Sequence, residues 1–172
     1  YMFPPIRLPD GTYGCNRRLN EEESARSIVH WDSLRLTPEE FDRRAENMAA
    51  RKFAHEGCPV EEGEGVRCRA GSTSFWMTWD GRMLPCGMME QPVVYPLEVG
   101  FDAAWEQIRA QTRQIRTPAK CVSCEHRDIC GACAAVYYAE TGRFDGVPAY
   151  SCRRAEAIVR ETQRLYEERK AK

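Results

Sequence analysis

Thiols are the groups through which this sequence can do chemistry. The chain has 172 residues and nine cysteines, four of them in the run Cys121-x2-Cys124-x5-Cys130-x2-Cys133. Cys152 follows further on, and Cys58, Cys68 and Cys86 lie upstream, the last in Gly81-Arg-Met-Leu-Pro-Cys86. A deprotonated thiol is a soft, strong metal donor. Two Cys-x2-Cys pairs set so close place four such donors on one short loop. The upstream group implies a second centre, or one shared between distant segments. An odd cysteine count in close pairs favours metal over a disulfide framework, and with it a reducing cytoplasm.

Two kinds of centre suit these donors. Zinc takes four ligands in a tetrahedron and is commonly held by paired Cys-x2-Cys knuckles. A [4Fe–4S] cluster also takes four thiolates, at the corners of a larger cube. Zinc knuckles are normally separated by a longer loop. With only five residues between Cys124 and Cys130, one zinc on all four would be cramped. The run fits better if its members serve two centres, and zinc stays open as the alternative.

The pattern G-x4-C, then C-x2-C-x5-C-x2-C, then a lone late cysteine resembles the SPASM domain. That domain is the auxiliary-cluster extension of many radical S-adenosylmethionine enzymes. The likeness spans about residues 58–152, and Cys68-x12-Gly81-x4-Cys86 matches the spacing of its first element. The resemblance implies two auxiliary [4Fe–4S] clusters with crossed ligation. Cluster I would take Cys68, Cys86 and Cys133, with Cys58 as the candidate fourth ligand. Cluster II would take Cys121, Cys124, Cys130 and Cys152. The last gap of the run is two residues where three is commoner, and Cys58 lies well ahead of Cys68; an open iron in cluster I is the other possibility. The resemblance also implies a peptide-modifying parent enzyme. Its catalytic barrel, in the same polypeptide, would bind S-adenosylmethionine, and a precursor peptide would be its substrate. The C-x3-C-x2-C signature of that barrel is absent here, so this chain by itself has no means of cleaving S-adenosylmethionine. A ferredoxin-like electron carrier is a further alternative.

Helices, one hairpin and loops must position these thiols. Asn20 with Glu23, and Thr37-Pro38 with Glu40, read as capping boxes opening helices over about 20–34 and 38–54. Residues 73–86 read as a β-hairpin turning at Asp80-Gly81, a dipeptide that two-residue type I′ turns prefer, and it delivers Cys86. Phe75, Trp76, Met77 and Trp79 are read as the core of that hairpin. Apolar spacing predicts further helices over about 101–117, 131–142 and 152–170. The expected fold is therefore α+β and helix-rich: a small irregular cysteine-loop domain over 57–172. Residues 1–56 are expected to be an arm and helical linker following a catalytic barrel. Long loops closed by clusters predict a domain that is poorly folded when stripped of metal.

Composition narrows the remaining options. The formal net charge of -1 gives no electrostatic case for nucleic acid. No apolar run approaches the roughly 18–20 residues needed to span a bilayer, and the segment from Tyr1 to Arg7 does not read as a signal peptide. Cys15 fits neither thiol set and reads as a bystander. His55 and His126 adjoin cysteines, but with so many thiols present both read as loop residues. Gly81, Gly87 and Gly131 read either as ordinary turn residues or, next to ligand candidates, as positions that let backbone N–H groups approach sulfur. No catalytic acid, base or nucleophile is assigned; the ligands are the functional residues.

Overall fold

In the computed structural model, residues 18–50 and 65–171 are described. Cys15, His55 and Cys58 lie outside them, as does the expected end of the second helix near residue 54.

Two local signals start the chain's first helices. Helix α1 (Glu21–Arg35) opens on Asn20, whose side chain accepts from Glu23 N–H while the Glu23 carboxylate accepts from Asn20 N–H. Helix α2 (Pro38–Ala49) repeats the arrangement with Thr37 and Glu40, with Pro38 in its first turn. Such reciprocal capping satisfies donors that a helix start leaves orphaned. Both helices pack against α8 (Ala149–Lys170). Ala25, Val29, Phe41, Met48, Ala157 and Ile158 form the resulting core, and Phe41 is wholly buried.

The hairpin is smaller than expected. Strands β1 (Trp76–Met77) and β2 (Met83–Leu84) pair antiparallel, with Trp76 opposite Leu84 and Met77 opposite Met83. Its turn differs too. Thr78 N–H donates to Arg82 C=O, and Gly81 N–H to Thr78 C=O, leaving a three-residue loop with Gly81 at φ 83°. Asp80-Gly81 thus ends a longer turn with glycine in the left-handed region, in place of forming a two-residue type I′ loop.

The reading of the hairpin aromatics as core is also corrected. Trp76 is 54% exposed, and Trp79, in the loop, is 97% exposed. The reason is position: β1 is the outer strand, while β2 lies between β1 and Val94, whose N–H and C=O both bond Met83. The buried side therefore comes from β2, where Met83 joins Val94, Ala104 and Ile108. Phe75 instead packs its ring on Phe101 and Trp105, with centroids 5.5 and 5.6 Å away.

Four short helices and one longer one complete the order: α3 (Pro96–Val99), α4 (Phe101–Thr112), α5 (Ala119–Val122), α6 (Arg127–Cys130) and α7 (Ala134–Thr141). Helix α4 stops at Thr112, short of the expected 117. Past it, Ile115 turns inward to pack with Met89 and Ala135 beneath the cysteine loops. Helix α7 starts later than expected because Cys133 is extended and serves as its N-cap position. Helix α8 starts earlier, directly after Pro148, so Cys152 lies in its first turn. No helix among the described residues is long and apolar enough to cross a membrane.

Candidate metal centre

Apart from α8, which carries Cys152, the elements near the thiols are short, and each presents one or two cysteines. Cys68 sits in the loop before the hairpin and Cys86 just after β2. Cys121 lies in α5, Cys124 beyond it, Cys130 at the end of α6, Cys133 at the start of α7 and Cys152 in α8. All seven line one cavity of about 600 Å³. A single water needs only about 10–15 Å³, so the space far exceeds that of one ion. Ala70, Met89, Ala135, Pro148 and Ala155 supply much of its apolar wall, and Lys120, Glu125, His126 and Glu156 also reach it.

None of the seven is disulfide-bonded. Nor do any three His, Cys, Asp or Glu side chains among the described residues converge tightly enough to hold a metal ion. One zinc needs four donors drawn to a point, with Zn–S near 2.3 Å. Among the described residues the seven cysteines instead share the lining of the cavity.

Electrostatics link four of them. Burial raises the Cys121, Cys130 and Cys152 thiols above their ordinary value. After burial, the thiols that push each of these up are drawn from Cys121, Cys124, Cys130 and Cys152. That is the set assigned to cluster II. Without metal the raised thiols of Cys121, Cys130 and Cys152 are protonated at neutral pH, so loading must displace protons. Tyr137, buried beside them, opposes the rise at Cys121 through a hydrogen bond to its sulfur; burial foremost pushes its own hydroxyl upward.

Two sulfurs have backbone donors. Met88 N–H reaches Cys86 Sγ at 3.4 Å. A backbone hydrogen bond from Ala132 lowers the Cys130 thiol against its burial. Both donors sit two residues after the cysteine, with Gly87 and Gly131 between, as the sequence suggested. At Gly87 the Trp76 ring lies so close that a Cβ would meet it at 3.1 Å. Cys152 lies in the first turn of the 22-residue α8, and Lys120 opposes the rise that burial imposes on its thiol. Cys130 Sγ approaches Ser151 C=O at 3.8 Å, joining α6 to α8.

Among histidines near the thiols, His126 lines the cavity but turns toward Glu125, 3.6 Å away. Tyr137 and Arg154 are the residues that sequence reasoning passed over. Arg154 did leave a signal: it shares the buried stripe of α8 with Ser151, Ala155, Ile158 and Thr162, where a cation is out of place.

No protein-family model, curated protein or solved structure matches the chain.

Proposed function

We propose that this chain is the auxiliary iron–sulfur domain of a radical S-adenosylmethionine enzyme that modifies a peptide. The observation that carries the reading is the convergence of seven cysteines, from four stretches of sequence, on one cavity. Cys121, Cys124, Cys130 and Cys152 are the ligands proposed for one [4Fe–4S] centre. Cys68, Cys86 and Cys133 are those proposed for the other, with Cys58 as its fourth. When bound, such a centre accepts or gives up one electron at a potential set by burial and by hydrogen bonds to sulfur. The chain's own residues bring the seven thiol-bearing side chains to the wall of one cavity. They supply N–H groups to Cys86 and Cys130 sulfur and present a largely apolar wall to what lies between. The barrel of the same polypeptide would perform the radical chemistry on a precursor peptide, with electrons passing to or from these centres.

Anaerobic purification followed by reconstitution with ferrous iron and sulfide tests this. The expected result is a brown protein with about eight iron and eight sulfide per chain. A colourless protein loaded with zinc, or one that takes up neither metal, overturns it.

A further inference from the structure

The wall behind the second thiol set contains a cation that ligation alone does not require. Arg154 lies two residues past Cys152 in α8 and is 7% exposed. Its Nη2 donates to the Cys130 carbonyl at 2.7 Å, spanning from α8 back to the last residue of α6. One side chain thus bridges the helix that presents Cys152 and the backbone that presents Cys130.

Its surroundings hold it there. Arg18 forms an ion pair with Glu140 of α7, with a second contact of 3.1 Å, and stacks 3.5 Å above the Tyr150 ring. Tyr150 in turn donates its hydroxyl to Leu19 C=O at 2.9 Å. Tyr150, Arg18 and Glu140 of this layer lie near enough to Arg154 to act on its charge. A buried guanidinium is costly unless its surroundings reward the charge. Here burial, and to a lesser degree the Arg18 cation, disfavour the charge, while Cys130, Tyr150 and Glu140 favour it.

We propose that Arg154 is a positioning residue for the centre built on Cys121, Cys124, Cys130 and Cys152. It fixes Cys130 against Cys152, and it places a permanent positive charge beside them that favours the reduced state. The inference rests on the iron–sulfur reading above. Adding one electron from a one-electron reductant makes a thiolate-ligated centre more negative by one charge. A nearby cation in a poorly screened wall stabilises that state more than the oxidised one. Arg154 therefore sets the potential upward, apart from any role in folding.

The test compares the wild-type chain with Arg154→Gln and Arg154→Lys after anaerobic reconstitution. Iron and sulfide are counted, and midpoint potentials are read by redox titration followed by electron paramagnetic resonance. Arg154→Lys is expected to keep the full iron content and both potentials near wild type. Arg154→Gln is expected either to lose about half of the iron or to keep it with one of the two potentials shifted negative. Full loading of Arg154→Gln with both potentials unchanged overturns the proposal. So does loss of the centre from Arg154→Lys as well, because charge then fails to rescue position. A wild-type chain that takes up no iron fails the underlying reading instead, before any variant is compared.

Discussion

At the scale of single residues, the thiols divide into two groups by the company they keep. Cys121, Cys124, Cys130 and Cys152 act on one another electrostatically. Cys68, Cys86 and Cys133 line the same cavity from the hairpin side and the start of α7. Residues serving one centre should therefore be non-additive when removed together. Cys130→Ala and Cys152→Ala are each expected to halve the iron content, and the double variant to lose no more than either single. Cys130→Ala combined with Cys86→Ala should remove nearly all of it. Iron analysis of the four proteins, purified anaerobically, checks the grouping; equal losses from both double variants would contradict it. These sets are what the resemblance to the SPASM domain implies, and the resemblance was legible because cysteine gaps are a property of the chain. Arg154 and Tyr137 were not legible in that way. Their significance is a matter of which side chains meet behind the cavity, and no local rule relates position 137 to position 121.

At the scale of elements, helix starts were the most legible features. Both capping boxes predicted from Asn20 and Thr37 are present, since a cap is settled by residues three apart. Ends and turns were less so. Helix α4 ends where Ile115 gains burial against Met89 and Ala135, a contact between distant segments. The loop preceding the hairpin illustrates how such contacts constrain sequence. Gly71 has φ 64°, and a Cβ there would lie 2.7 Å from Thr112 Cβ, whose hydroxyl is already bonded to Ile108 C=O. Gly71→Ala is expected to destabilise by about 2–4 kcal/mol through left-handed strain and overpacking together. Urea denaturation measures it, and a change below about 0.5 kcal/mol would refute this account.

The seam between α1 and α8 carries a pH dependence. Glu21 is held below the usual carboxylate value of 4.5, first by a backbone hydrogen bond and then by Arg153, whose Nε donates to it at 2.7 Å. Glu161 is lowered as well, first by its hydrogen bond from Arg164. A depressed carboxylate contributes stability above its unfolded value, and loses it as pH falls through the folded one. Melting temperature should therefore decline as pH drops below about 4.5. Arg153→Gln should flatten that decline. A wild-type slope retained in the variant would show that Arg153 contributes nothing to it.

At the scale of the whole molecule, two bodies of structure differ in what holds them. Among the described residues, the core shared by α1, α2 and α8 contains no cysteine. Apart from α8, the helices around the thiols are four to eight residues long, and Met89, Ile115 and Ala135 form a small buried cluster there. Short helices are unstable without tertiary support. Removing metal from a loaded protein should therefore abolish near-ultraviolet circular dichroism around the cavity while most far-ultraviolet helical signal survives. This is narrower than the general unfolding anticipated from sequence, because α1, α2 and α8 bury Phe41 and Val29 without help from sulfur. Chelation followed by spectra in both ranges decides it. Complete loss of helical signal would mean that the helical body also depends on the centres.

Cysteine spacing, the two capped helix starts and the helix-rich character with one hairpin were legible in the sequence alone, because each depends on residues near one another along the chain. Tertiary structure decided that seven thiols face one cavity, that the hairpin aromatics point outward, and that a buried guanidinium backs Cys130. Those outcomes depend on segments far apart in sequence competing for the same buried space, and only the folded chain resolves that competition.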